Sequence, residues 1–318
     1  MGELEHMRTA FGHALVELGR ARPDVVALSA DVSNSDFSYM FANEFPARFY
    51  NVGIAEQSLI DVAVGLSYAG KVPFANTFAF LLATRALEPI RTHCCYGRAN
   101  VKIMAGYCGL SPFTEGPTHH AISDIAIMRS LPNMTVVAPA DCEELRKLLP
   151  QVAEWDGAVY FRFNRNDVPA VFGSTHQPVI GRAELVGSGD DVTLIGTGLM
   201  VSRCVDAAAS LAVEGISARV IDMHTLKPLD VETIVAAAEE TGAIVTAEEH
   251  SIIGGLGAAV AEAVCDARPV PVKRVGLRDQ FAGCGPYFEL LDRHGMSVQD
   301  IVDAAHGALK LKGSAVAR

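Results

Sequence analysis

The sequence predicts an α/β protein made of two parallel or mostly parallel sheet domains, on three observations. Short continuous apolar runs alternate with segments of helical periodicity along almost the whole chain. Such alternation gives parallel strands covered by helices on both faces. The rhythm is interrupted over residues 166–188 by Pro169, Gly173, Pro178, Gly181 and Gly187, as expected of a connection between domains. A length of 318 residues, 50% hydrophobic and 20% charged, supports two sizeable cores. The expected boundaries are 1–170 for the first domain, 171–188 for a linker and 189–318 for the second domain.

Each element follows from local pattern. Met7, Ala10, Phe11, Ala14, Leu15 and Leu18 recur at helical spacing, and Pro23 ends that helix. Val25-Val26-Ala27-Leu28 leads into Ser29-Ala30-Asp31 as a strand buried on both faces would. A helix at 55–69, a strand at 72–77, a helix at 80–96 and a strand at 101–106 come next. After a polar loop lie a helix at 122–130 and a strand at 135–138. Asp141-Cys142-Glu143-Glu144 has capping-box spacing and opens another helix, and a strand at 158–163 closes the block. The second domain has strands at 192–195, 218–221, 243–246 and 272–275. Its helices fall at about 199–213, 230–240, 255–266 and 297–309.

Composition excludes several function classes. With 26 Lys plus Arg against 37 Asp plus Glu, the formal charge is −11, which disfavours non-specific nucleic-acid binding through phosphate neutralisation. No stretch approaches the roughly 20 apolar residues of a membrane span. The N-terminal residues lack the basic flank and apolar run of a signal peptide. Seven cysteines without a paired framework suit a reducing cytoplasm.

Chemistry concentrates in two segments. Asn51-Val52-Gly53-Ile54-Ala55-Glu56-Gln57 sets Glu56 at the mouth of a helix that continues as an almost wholly apolar stretch. Burying a carboxylate costs several kcal/mol unless a charge or donor meets it. Glu56 is therefore either an ordinary first-turn glutamate favoured by the helix dipole or a group that grips a ligand. Glu115-Gly116-Pro117-Thr118-His119-His120 gathers a carboxylate and two imidazoles around a Gly-Pro turn. The alternative for this loop is a plain surface turn, and a lone His119 is more often a satisfied histidine than a catalyst. Arg8 begins the first helix, Ser35 lies in the loop after the first strand, and Arg162 and Arg165 lie just beyond the last strand of the first domain; in an open parallel sheet, loops at carboxyl ends converge on the ligand crevice. Ser35 and Arg165 are candidates for one anion site; solvated surface arginines are the other reading. Gly196-Thr197-Gly198 lacks the third glycine of a dinucleotide turn. Gly254-Gly255-Leu256-Gly257 suits an anion or close packing equally well. His93-Cys94-Cys95 points its cysteines to different faces of a helix, which favours packing over a shared metal.

Taken together, the chain resembles the pyrimidine-binding and C-terminal domains of transketolase over residues 7–310. The resemblance rests on Ser29-Ala30-Asp31, Gly53-Ile54-Ala55-Glu56-Gln57, Thr77-Phe78, Glu115-Gly116-Pro117-Thr118-His119, Arg129-Ser130-Leu131-Pro132-Asn133 and Ala138-Pro139-Ala140-Asp141. It implies a pyrimidine-binding domain followed by a transketolase C-terminal domain. The Gly-Asp-Gly segment with which the family binds thiamine diphosphate through a metal is lacking; Gly189-Asp190-Asp191 stands elsewhere and without partners. The resemblance is thus to the C-terminal half of a split transketolase. It implies an N-terminal, diphosphate-binding partner carrying the Mg2+ or Ca2+ ligands, and a heterotetramer in which this chain also pairs with itself.

The same resemblance assigns roles. Glu56 would meet N1′ of the aminopyrimidine and share a proton with it, so that the exocyclic nitrogen can take the C2 proton of the thiazolium. Phe78 would stack on the pyrimidine, Leu81 would stand where the family has a second aromatic, and Asp31 would lie near the cofactor at the subunit junction. His119 and Glu115 would face the donor sugar. Arg8, Ser35 and Arg165 would hold the anionic end of the substrate. Two departures stand out: Glu115 is one methylene longer than the family's aspartate, and Tyr107 stands where the family has a phosphate-contacting histidine. They suggest a tail other than that of an ordinary sugar phosphate, such as a branched sugar phosphate or a sulfonated sugar. Other readings are a 2-oxo acid dehydrogenase β subunit, a deoxyxylulose-phosphate-synthase-like enzyme and a non-catalytic scaffold.

Overall fold

The computed structural model describes residues 3–316. The chain begins with β1 (Leu4–His6) and α1 (Met7–Ala21), capped by the His6 ring, which accepts from the Thr9 amide. β2 (Val25–Ser29) is buried throughout. The short helices α2 (Ser33–Asp36) and α3 (Tyr39–Glu44) and strand β3 (Phe49–Asn51) lead into α4 (Glu56–Tyr68). β4 (Val72–Phe78) is followed by α5 (Ala79–Thr84), α6 (Leu87–Pro89) and a π-helical turn, Ile90–Tyr96. The single helix expected over 80–96 is therefore in pieces. The Arg85 and Ala86 amides both bond the Leu81 carbonyl, and Pro89 has no amide hydrogen with which to continue the ladder.

β5 (Lys102–Gly106), α7 (Asp124–Ser130), β6 (Met134–Val137), α8 (Cys142–Glu154), β7 (Ala158–Arg162) and β8 (Asp167–Pro169) follow. At α8 the Asp141 carboxylate accepts from the Glu144 amide, while the Glu144 carboxylate reaches back to the Ala140 amide. The rest of the chain forms β9 (Glu184–Gly187), β10 (Val192–Gly196), α9 (Met200–Val213), β11 (Ala218–Asp222), β12 (Thr225–Lys227) and α10 (Val231–Thr241). It ends with β13 (Ile244–Ser251), α11 (Leu256–Ala267), β14 (Val272–Leu277), α12 (Tyr287–Arg293) and α13 (Val298–Val316).

The larger sheet has the order β12-β6-β7-β5-β4-β2-β3 and is parallel except where β12 joins β6. The smaller sheet, β14-β13-β10-β11-β9, is parallel except for β9. Two features depart from a plain chain of two domains. The stretch read as a linker contributes β9 to the second sheet, and β12 crosses back to edge the first. An apolar cluster runs from Phe11, Leu15 and Leu148 to Leu194, Leu211 and Leu291, so the two halves share packing. Among the described residues no helix is long and apolar enough to cross a membrane. The carboxyl ends of β2, β4, β5 and β7 point the same way, and the loops that leave them carry the residues singled out above.

Candidate active site

Glu56 is the first residue of α4 and is only 1% exposed. The Nη1 of Arg85 donates to both of its carboxylate oxygens at 3.1 Å. The Arg85 side chain is 55% exposed, so the pair is buried on one side and wet on the other. A cavity of about 330 Å³, lined by Ile54, Gln57, Ser58 and Arg85, opens on Glu56. The approach to α4 is fixed by Asn51. Its Oδ1 accepts from the Asp31 amide at 3.1 Å and the Gly53 amide at 3.0 Å, and its Nδ2 donates to the Asp31 carboxylate at 2.8 Å. Asp31, at φ 63°, and Gly53, at φ 76°, both need the left-handed region to make this crossing. Asp31 is exposed and belongs to the loop that leads to Glu56.

An aromatic group stands on the neighbouring strand ends. The Phe78 ring at the end of β4 lies 4.3 Å from Tyr107, which follows β5. His119 is 6.1 Å from Phe78 and 5.1 Å from Phe80, centroid to centroid. Leu81 is buried on the same helix, and Phe80 is the ring beside His119. The neighbouring His120 is buried, and burial pushes its ring down to about 4, so it is neutral at pH 7.

The loop that carries these groups is clamped from below. The Leu110 amide donates to Glu249 Oε1 at 2.6 Å, and the Tyr287 hydroxyl donates to Glu249 Oε2 at 2.8 Å. Asn164 Nδ2 in turn donates to the Tyr287 hydroxyl at 2.5 Å. Gly109, at φ 57°, lies so close that a Cβ there would stand 2.4 Å from Glu249 Cδ. Burial pushes the Glu249 carboxyl up to about 7. Arg162 is part of this interior: it is 3% exposed and bonds Asp124 at 2.8 Å and the Glu249 carbonyl at 2.8 Å. It does not share the anion group suggested by its position in the sequence.

Arg8 and Arg165 do converge, on either side of Tyr107. Arg8 Nη1 donates to the Ser35 carbonyl at 2.7 Å and to the Tyr107 hydroxyl at 3.0 Å, and its Nη2 is 3.2 Å from His6 Nε2. Its guanidinium lies 4.8 Å from the Phe37 ring centre and 5.5 Å from that of Tyr107. The Arg165 guanidinium is 5.0 Å from the Tyr107 ring and donates to Glu115 at 2.5 Å and Thr114 at 3.0 Å. Burial alone would push the Glu115 carboxyl up. Hydrogen bonds from the Thr114 side and the backbone, with the Arg165 and His119 charges, outweigh that and hold it below the ordinary carboxylate range.

The sequence reading passed over Arg85, Phe80, His6 and Phe37. Phe80 lay within reach of it, two residues past Phe78, whereas a lone arginine carries no local signal. Other motifs resolve as structure. The Leu256 and Gly257 amides at the glycine-rich helix start donate to the chain's own Glu248 at 2.7 and 2.8 Å. Cys94 and Cys95 are buried and their thiols are pushed up by that burial. Among the described residues no group of three or more His, Cys, Asp or Glu is placed to hold a metal ion.

Comparison with known proteins agrees with the two-domain fold. The pyrimidine-binding domain of transketolase matches residues 5–171, and the transketolase C-terminal domain matches residues 181–301. A 6-deoxy-6-sulfo-D-fructose transketolase subunit from Clostridium sp. is 38% identical, covering 97% of this chain and 96% of that protein. A putative transketolase C-terminal section from Methanocaldococcus jannaschii is 39% identical, covering 94% and 95%. A solved structure described as a split gene transketolase, inactive beta4 tetramer, superposes with a TM-score of 0.91 at 48% identity, covering 96% of this chain and 99% of that one.

Proposed function

Because this chain belongs to the transketolase family and corresponds to one subunit of a split transketolase, we propose that it forms the pyrimidine side of a two-part, thiamine-diphosphate-dependent active site. The reaction is transfer of a two-carbon ketol unit from an anionic ketose to an aldose. A partner subunit would bind the diphosphate and its Mg2+ or Ca2+. The observation that carries this reading is Glu56, a carboxylate withdrawn from solvent yet opening on a cavity.

The residues present suit the cofactor. Glu56 offers a buried acceptor at the cavity wall, and Phe78 offers an aromatic face at the end of β4. When bound, thiamine diphosphate supplies a carbon acid at thiazolium C2 and an electron sink for cleaving the bond beside a ketone. Glu56 would hold a proton at pyrimidine N1′, favouring the imino tautomer whose exocyclic nitrogen acts as base. Arg85 keeps the Glu56 carboxylate in place until that contact forms. Phe78 and Leu81 would shape the pyrimidine slot, and Asp31 would border it at the junction with a second subunit. His119 would move protons at the sugar hydroxyl oxygens, helped by Glu115. Arg8, Ser35, Tyr107 and Arg165 would seat the anionic tail, arginine being suited to planar oxyanions.

The test is reconstitution. The chain alone should show no ketol transfer, and the mixture with its diphosphate-binding partner should transfer from pentose phosphates or related anionic ketoses. The solved relative described as an inactive beta4 tetramer supports this expectation. Robust turnover by the isolated chain would overturn the partner requirement, and turnover of a 2-oxo acid instead would overturn the transketolase chemistry.

A further inference from the structure

We infer that Glu115 sets the charge of the tail that this active site accepts, and that the seat is built for a singly charged tail, such as a sulfonate, in preference to a doubly charged phosphate. This rests on the transketolase reading above and adds the class of substrate. Two guanidiniums, Arg8 and Arg165, lie 5.5 and 5.0 Å from the centre of the Tyr107 ring. They differ in what neutralises them. Arg8 is held by neutral partners: the Ser35 carbonyl, the Tyr107 hydroxyl and His6. Burial, with Arg8 alongside, pushes the His6 ring down from its ordinary value and disfavours its charged form. Arg165, by contrast, already has a carboxylate in direct contact, Glu115 at 2.5 Å.

The two guanidiniums therefore stand against one carboxylate from the loop itself, with the His119 ring also acting on that carboxylate. Nearby acids lower the field further. Asp36 attracts Arg8, although burial raises its own carboxyl to about 7 and leaves it only partly ionised at neutral pH. Asp167 acts on His6 in the same sense. A sulfonate carries one negative charge, whereas a phosphate monoester carries about −1.5 to −2 at pH 7. The additional charge of the phosphate meets Glu115, and like charges brought together are the usual device by which a site rejects a near isostere.

The experiment uses the assembled two-subunit enzyme with cofactor and two ketoses that differ only at the tail, 6-deoxy-6-sulfo-D-fructose and D-fructose 6-phosphate. Wild type should favour the sulfonate in kcat/KM by about tenfold, the scale of one partly screened charge contact. Glu115→Gln keeps the length and removes the charge. It should shift the ratio toward the phosphate by about tenfold, a comparison in which any loss of rate common to the two ketoses cancels. An unchanged ratio in Glu115→Gln, or a wild-type preference for the phosphate, would overturn this inference while leaving the transketolase reading in place. Transfer from neither ketose, nor from pentose phosphates, would overturn that reading and this inference with it.

Discussion

Arg85 reaches Glu56 from a break in the helix that follows β4. It sits where two successive amides share one carbonyl, and from there its Nη1 touches both oxygens of a carboxylate 29 residues earlier in the chain. Irregular turns of this kind recur at functional sites because they re-aim a side chain. The contact explains how the fold tolerates a glutamate at 1% exposure: one face of the ion pair stays in solvent.

Removal of Arg85 should leave Glu56 buried without its counter-charge. Because the guanidinium is half exposed, the cost is far below that of a fully buried pair, about 1–2 kcal/mol. Arg85→Ala should lower the denaturant midpoint accordingly. In a Glu56→Gln background the same substitution should cost less than about 0.5 kcal/mol, since the charge it served is gone. Equal costs in the two backgrounds would show that the residues are not coupled.

The Glu249 clamp gives stability a pH dependence of known sign. Burial raises its carboxyl to about 7 in the folded chain, above the ordinary value of about 4.3 for a free glutamate. Between these values the folded state binds more protons than the unfolded one, so this contribution is complete below the lower value and is lost as pH rises through 7. Asp36, Glu248 and Asp222 are raised as well, by burial first, and they add slopes of the same sign. Glu249→Gln should therefore flatten the fall in unfolding free energy between pH 4.5 and 7 relative to wild type without abolishing it. Identical slopes would mean that Glu249 is not the protonated group.

Much of this was legible in the sequence, and the rest fails for physical reasons. Long parallel strands and amphipathic helices announce themselves by period, as with Val25–Ser29 and the apolar positions of α1. The strands β1, β8, β9 and β12 have three or four residues each, too few for a period to emerge, and their partners lie far off in sequence. Pro89 was in view inside the segment read as one helix over 80–96, yet the reading ran through it. Glu56 was visible because a carboxylate heading an apolar helix is costly. Glu248-Glu249-His250 carried the same kind of signal, titratable groups in an otherwise apolar strand, and could have flagged the clamp. Arg162 misled because its position after a run of strand residues looks like a crevice rim, whereas its partner Asp124 draws it inward.

The tail seat makes a prediction about Arg165. Charge-assisted contacts to an anion contribute about 1.5–3 kcal/mol. Arg165→Ala in the assembled enzyme should raise KM for an anionic-tailed ketose by about ten- to a hundredfold, with kcat nearly intact, as expected for lost uniform binding. A neutral ketose of the same length should be little affected. Equal losses for both would assign Arg165 to holding its loop through Glu115 and Thr114.

The central claim is that Glu56 holds the proton that activates the cofactor, and hydrogen–deuterium exchange at cofactor C2 in the assembled complex tests it most directly. Glu56→Gln preserves size and cavity but cannot exchange a proton with N1′. A positioned acid–base group contributes about 10²–10⁴-fold, so exchange should slow by that factor while cofactor still binds. Exchange within about threefold of wild type would reduce Glu56 to a helix-terminal charge paired with Arg85 and contradict the account.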